Sequence, residues 1–458
     1  SFTLSDTALK TGETATVTLV FSEAVASFAS AADITVASGT LATMSSADNI
    51  TWAGTFTPTA NTEDDNNTLS LATSYTDTAG NAGPAATTPN YAVETQAPSV
   101  SSFTLSDTAL KTGETATVTL VFSEAVASFA SAADITVASG TLATMSSADN
   151  ITWAGTFTPT ANTEDDNNTL SLATSYTDTA GNAGPAATTP NYTVDTTAPT
   201  ISSVTASWGT YLNATEDDSD GTVTVVTSLA ENGQTVTVAL NGTNYTGTVS
   251  DNSTSVTIAA SGLQALTNGS SYTLTTNVSN AAGNAATENT GTSFTYDITV
   301  PTLAETTAVS TLTNDNSTQY TFSSSEGGTI SVGGSCSSDN DTAVADNMTV
   351  SFAALADGTY SDCTITVTDS AGNTPQTISV NTFTIDTVKP VLAQVIAVTT
   401  PTNDNTSSYT FSSTEAGTIS YSICGGNLDN ASVDNNTIIF DALADDTYSD
   451  CKISVTDN

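Results

Sequence analysis

Five short stretches concentrate oxygen-bearing side chains in this sequence. "YTDTAGNAG" at residues 75 to 83 returns letter for letter at 176 to 184. Reduced forms follow as "SNAAGNAA" from Ser279, "TDSAGNT" from Thr368 and "TDN" at the last three residues. The Asp or Asn opening each copy is Asp77, Asp178, Asn280, Asp369 or Asp457. A second marker keeps the same beat: an acidic residue four positions before a proline in "VETQAP", "VDTTAP", "YDITVP" and "IDTVKP". These acids are Glu94, Asp195, Asp297 and Asp386. Carboxylates and amide oxygens grouped in this way suit a hard cation such as calcium, which takes about six to eight oxygen ligands. The same residues also build turns without any ligand, since Asp accepts backbone N–H groups two residues on and Gly supplies positive φ. Both readings stand at this level.

If each corner lies where the next unit begins, Asp178 meets Asp195 and Asp369 meets Asp386. Asn280 then offers a neutral oxygen near Asp297. A further acidic run recurs as "TEDDNN", with Glu63, Asp64 and Asp65, then Glu164, Asp165 and Asp166, and in the variant "TEDDSDG" with Glu216, Asp217, Asp218 and Asp220. Charge runs are usually solvated loops. The third run follows the Asp195 link, which makes Asp217 a junction contributor. Its D-x-D-G likeness to an EF-hand loop lacks the spacing and the distal Glu. The expected cation ligands are therefore Asp77, Glu94, Asp178, Asp195, Asp217, Asn280, Asp297, Asp369 and Asp386. Glu23, Glu124, Glu231, Glu326 and Glu415 end a strand in every unit and read as acids that discourage edge pairing.

Catalytic chemistry has little to work with. The chain contains no His, and its four cations are all lysines, Lys10, Lys111, Lys389 and Lys452. General-base catalysis by His and anion clamping by Arg are thereby excluded. A glycosidase can run on two carboxylates, but nearly every carboxylate here holds a repeated scaffold position. We expect no enzyme. Trp52 and Trp153 alternate with apolar neighbours and read as core, whereas Trp208 stays open between core and carbohydrate stacking.

Composition narrows the class further. Against 47 Asp plus Glu stand 4 Lys, a formal net charge of −43. Such a surface repels nucleic acid and anionic lipid and attracts divalent cations. Only 11% of the 458 residues are charged and 38% are hydrophobic, so the chain is not a disordered polyelectrolyte. No membrane span is in view. The chain begins at Ser1 without a visible signal peptide and reads as a mature product or a fragment. Cys336 to Cys363 and Cys424 to Cys451 span equal distances at matching repeat positions. They read as one disulfide per unit, formed in an oxidising compartment, in preference to zinc, which wants clustered CxxC or His.

The elements that must position these residues are strands. Residues 1 to 91 recur unchanged at 102 to 192. In "ETATVTLVFSE", Ala15, Val17, Leu19 and Phe21 alternate with Thr14, Thr16, Thr18 and Val20, which is the period of a half-buried strand. "NITWAGTFT", "GQTVTVAL", "QYTFSS" and "CTITVTD" continue the pattern, with turn signals between them. No segment reads as an amphipathic helix, and "VASFASAADITVAS" holds at most one short turn. The expected fold is all-β: five tandem immunoglobulin-like β-sandwich domains in a linear rod, over residues 1–97, 98–198, 199–300, 301–389 and 390–458.

"SDTALKTGETATVTLVFSEAV", "WAGTFTPTA", "YTDTAGNAG" and "VDTTAPT" resemble the bacterial immunoglobulin-like domains of large surface adhesins. "AENGQTVTVALNGTNYTGTVSDNSTSVTIAASGLQALTNGSSYTLT" resembles a sister class. The resemblance is looser in the last two units, which keep "FSSSE" or "FSSTE" and "ALADGTYSDC" or "ALADDTYSDC". It implies a stalk of tandem sandwiches at the cell surface, often with calcium at the junctions, and no catalytic residues. Function is thus expected to be mechanical: an extracellular, calcium-stiffened stalk for adhesion or biofilm. Its partners would be copies of itself or a cell-surface or matrix ligand, with no nucleic acid. The fifth unit stops at Asp457-Asn458, so the alternative is a filament subunit whose missing strand comes from another chain by β-augmentation.

Overall fold

The computed structural model describes residues 1–373 and 376–457; Thr374 of the fourth corner and Asn458 of the fifth lie outside them. Strands dominate. Helix among the described residues is confined to three four-residue turns, Ser30–Asp33, Ser131–Asp134 and Ala260–Leu263. The first two fall in the "SAAD" segments, where one short turn was expected. Contacts divide the chain into two compact units. One comprises Ser1–Ser207, Thr222–Ile258 and Thr273–Thr292; the other comprises Trp208–Gly221, Ala259–Tyr272 and Ser293–Asn458.

In the first unit, each of the two identical repeats folds as a β-sandwich. One sheet orders Phe2–Leu4, Ala15–Val20, Thr51–Pro58 and Gly39–Leu41 side by side. The facing sheet sets Tyr91–Glu94 between Ala8–Lys10, to which it runs parallel, and Glu63–Asn67, to which it runs antiparallel. Alternation explains the packing. Ala15, Val17 and Leu19 are buried while Thr16 is exposed, and Phe56 meets Tyr91 edge-on at 5.1 Å from the other sheet. The second repeat reproduces these sheets, with Tyr192–Asp195 between Ala109–Lys111 and Glu164–Asn168. The third segment adds Thr200–Ala206 paired with Gly221–Ser228, and Thr235–Leu240 between Thr243–Thr248 and Ser271–Val278.

The register has a consequence for charge. Glu63 stands opposite Glu94, and Glu164 opposite Asp195, across adjacent strands. The "TEDDNN" runs are therefore strands, not solvated loops as expected. Buried Asn67 donates to the carbonyls of Asp64 and Tyr91 and holds the run in the sheet. Tertiary pairing overrides the weak strand propensity of Asp and Asn. Like charges directly opposite each other are destabilising unless something neutralises them.

The second unit contains two disulfide-bridged segments. Leu303–Thr307, Gln319–Ser324 and Asp346–Ser351 form one sheet, and Gly328–Gly333 pairs with Thr364–Asp369 in another. Leu392–Ile396, Ser408–Ser413 and Asp434–Ile439 repeat the first of these, and Gly417–Tyr421 with Ile453–Asp457 repeats the second. Cys336–Cys363 and Cys424–Cys451 are the bridges expected from spacing. The first ties the chain just beyond Gly333 to the residue just before Thr364. Trp208 is 6% exposed and packs edge-on against Phe294, so it is core.

Candidate functional site

The corner motif is first of all a turn. Asp178 Oδ1 accepts the N–H of Gly181 at 2.6 Å and of Asn182 at 2.8 Å, and Oδ2 accepts Asn182 Nδ2 at 2.8 Å. Gly181 carries φ +97°, a backbone conformation that favours glycine, and the flexible Lys10 side chain lies over it. Asp77 and Asn81 close the same turn in the first repeat. The surroundings differ. Asn81 is exposed, whereas Asn182 is 3% exposed. Identical sequence buried in only one copy means that the covering surface comes from elsewhere.

That surface is the preceding repeat. Asn182 Oδ1 accepts the Thr11 N–H at 2.8 Å, and its Nδ2 donates to the Glu94 carbonyl at 2.9 Å. Asn284 does the same with Thr112 N–H at 2.9 Å and the Asp195 carbonyl at 2.8 Å. Asn373 takes the Ala214 N–H at 3.0 Å and gives to the Asp297 carbonyl at 2.9 Å. A carboxamide carries an acceptor and two donors, so one side chain can bridge two backbone segments of its neighbour. The expected partners were wrong by one repeat. Asp178 meets Glu94, not Asp195; Asn280 meets Asp195, not Asp297; Asp369 meets Asp297, not Asp386. The reason is directional: the chain traverses the sandwich between a corner and the junction acid that follows it, placing them at opposite ends.

The junction acids also fix the link. Glu94 Oε1 accepts the Gln96 N–H, and Asp195, Asp297 and Asp386 accept the N–H two residues on, at 3.0–3.2 Å. The prolines that follow cannot donate to a strand.

Around these turns carboxylates converge. Among the described residues, Asp297, Glu326 and Asp369 bring oxygens within 4.8 Å of one another. Asp369 is buried, with Oδ1 on the Asn373 N–H and Oδ2 on Asn373 Nδ2. Glu326 Oε2 is buried with no hydrogen-bond partner. Burial, then the charges of Asp297 and Asp369, push the Glu326 carboxyl above its ordinary value. Glu415 repeats this, raised by burial and then by Asp386, Asp457 and Asp357, with Oε2 likewise buried and unpartnered. In the first junction, Glu124 is raised by burial and then by Asp178, Glu94 and Glu63. Glu94 is raised too, chiefly by burial. Glu124, Glu326 and Glu415 thus lie among the junction acids, a role the sequence reading did not give them. Their recurrence in every unit was the signal; acids kept only to guard an edge need not keep register with the corner. An orphaned buried carboxylate oxygen beside two more carboxylates fits a divalent cation.

Residues 1–93 and 94–194 each match the family model of the bacterial Ig-like domain. The two N-terminal repeats are bacterial Ig-like domains. Among solved structures, a 1.5-MDa bacterial ice-binding adhesin is 23% identical, with 65% of this chain and 98% of that one covered, at a TM-score of 0.33. A Ca2+-stabilized adhesin with which an Antarctic bacterium reaches out and binds ice is 21% identical over 84% and 99%, at 0.31. Invasin, a bacterial integrin-binding protein, is 14% identical over 84% and 77%, at 0.30. No curated protein matches the sequence at a significant level.

The remaining expected ligands fall in different settings. Asp77 is engaged by its own turn. Asp217 is 5% exposed and accepts the Tyr296 hydroxyl at 2.6 Å, which makes it a buried buttress. Neighbouring Asp220 accepts the Ala260 N–H at the start of a helical turn. No helix among the described residues is long and apolar enough to cross a membrane.

Proposed function

We propose that this chain is an extracellular, surface-attached stalk of Ig-like domains set in line over the five segments named above, with divalent cations bound at carboxylate clusters between them. Calcium suits the all-oxygen donors. Asp297, Glu326 and Asp369 would hold it in the third junction, Asp386, Glu415 and Asp457 in the fourth, and Glu94, Glu124 and Asp178 in the first. The ion would supply positive charge among carboxylates that otherwise repel. The observation that carries this reading is the Asp297–Glu326–Asp369 cluster with its unpartnered Glu326 oxygen.

Magnitudes favour a counter-charge. Two carboxylates about 5 Å apart repel by about 3 kcal/mol at an effective dielectric near 20. Each hydrogen bond of the Asn373 bridge contributes about 1 kcal/mol. Repulsion within a three-acid cluster therefore exceeds what the bridge supplies. The reading assigns the chain no reaction; it holds adhesive surface away from the cell. Small-angle scattering of the full chain tests it. Chelation is expected to change the maximum dimension, and calcium to restore it. Dimensions indifferent to chelator would sink the cation reading.

A further inference from the structure

We infer that the second junction closes without a cation, because the side-chain amide of Asn280 occupies the place that a divalent ion takes among the acids of the third. The contrast rests on the calcium reading above, whereas the hydrogen bonding at Asn280 stands by itself. In the corners opened by Asp, Oδ1 accepts the N–H of the closing Asn, at 2.8 Å in Asp178 and 3.0 Å in Asp369. Asn280 Oδ1 keeps that contact with the Asn284 N–H at 2.8 Å. The oxygen is thereby fixed, and the other branch of the side chain must be nitrogen.

That nitrogen points at the acids. Asn280 Nδ2 donates to Asp195 Oδ2 at 2.9 Å and to the Thr197 carbonyl at 2.9 Å. In the Asp corners the same branch is an oxygen, which accepts the closing Asn's own Nδ2. Here Asn284 Nδ2 is released from that duty and donates to the Asp195 carbonyl and, at 3.3 Å, to Asp195 Oδ1. The strand-end Glu is satisfied as well: Glu231 Oε2 accepts the Ala281 N–H at 2.8 Å. Its counterpart, Glu326 Oε2, has no partner. Asn in place of Asp removes one negative charge, and N–H donors reach both Asp195 carboxylate oxygens and Glu231 Oε2. An N–H group pointing at the acids cannot act as a ligand to a cation. A chain with both junction types would therefore soften at selected links when divalent ions fall, and keep one link closed throughout.

Hydrogen exchange on the full chain, with calcium and with chelator, tests this through matched amides. Thr112 and Asn284 report the second junction; Ala214 and Asn373 report the third. Chelation is expected to speed exchange at Ala214 and Asn373 by about tenfold or more, equivalent to about 1.4 kcal/mol, and to leave Thr112 and Asn284 unchanged. Asn280→Asp is expected to make Thr112 and Asn284 chelator-sensitive, since a cleft of about 200 Å³ beside Asn280 leaves room for an ion. Asn280→Ala, which adds no charge, is expected to speed exchange there with and without calcium. If all four amides respond alike in the wild type, the inference is overturned while the calcium reading survives. If none responds, the calcium reading fails; Asn280→Ala then decides the inference, with faster exchange at Thr112 supporting it and unchanged exchange overturning it.

Discussion

The second and third junctions are built on one plan and differ at the residue that opens the corner, Asn280 in one and Asp369 in the other, where a side-chain nitrogen replaces an oxygen. Both bridge neighbouring segments with a corner Asn, Asn284 or Asn373, that takes one backbone N–H and gives to one carbonyl. Both carry a junction acid and a strand-end Glu. At Asn280 the corner turns a nitrogen toward Asp195, and at Asp369 it turns a carboxylate toward Asp297 and Glu326. The first arrangement satisfies its charges internally, and the second leaves an oxygen unpartnered. We propose that this side-chain atom decides whether a junction takes up a cation from solution.

The largest expected effect comes from exchanging that atom. Asp369→Asn is expected to copy the second junction into the third and to weaken calcium binding there by about tenfold or more, read by titration calorimetry of the full chain. Unaltered calcium binding would detach the corner carboxylate from the ion. Next, Asn373→Ala and Asn284→Ala each remove a bridge and leave part-buried backbone groups without their partners. Each is expected to cost about 1–3 kcal/mol locally, seen as faster exchange at Ala214 or Thr112. Loss at one junction only would break the equivalence of the two bridges.

A pH effect follows in size. Glu326 has its folded pKa raised above the ordinary 4.5 by burial and by Asp297 and Asp369. The folded state holds that proton more tightly than the unfolded chain does. Its contribution in chelator is therefore fully present below pH 4.5 and is lost as pH rises through the raised value. Protection of the Ala214 amide in chelator, relative to the intrinsic exchange rate at each pH, should accordingly fall from acid toward neutral pH; protection that rises over that range would contradict the charge assignment. The smallest effect is at Tyr296, pushed up to about 12 by burial and then by Asp217. Its stabilisation holds below the ordinary 10.0 and disappears as pH rises through about 12. Asp217→Asn is expected to bring tyrosinate absorbance on at lower pH, and an unmoved titration would separate Asp217 from Tyr296.

Much of this was legible in the residues. Alternation at Ala15, Val17 and Leu19 placed strands and faces, equal spacing paired the cysteines, and "SAAD" gave its single helical turn. The corner could be read as an Asx-type turn because both its acceptor and its glycine are local. What was not legible was long-range. Spacing along the chain does not say which end of a sandwich a corner occupies, so each corner was matched with the wrong junction acid. Glu124, Glu231, Glu326 and Glu415 looked like edge acids because their partners lie in other repeats or across the fold. Acid-rich "TEDDNN" has poor strand propensity, and only pairing with Tyr91–Glu94 or Tyr192–Asp195 makes it a strand. Asp217 was misplaced for a similar reason, since its partner Tyr296 is remote in sequence.

One measurement addresses the junction chemistry most directly: a crystal structure of the full chain grown in calcium. The expected result is an ion at about 2.3–2.6 Å from carboxylate oxygens of Asp297, Glu326 and Asp369, with none at Asn280. A third junction without an ion at saturating calcium, or an ion coordinated at Asn280, would contradict it.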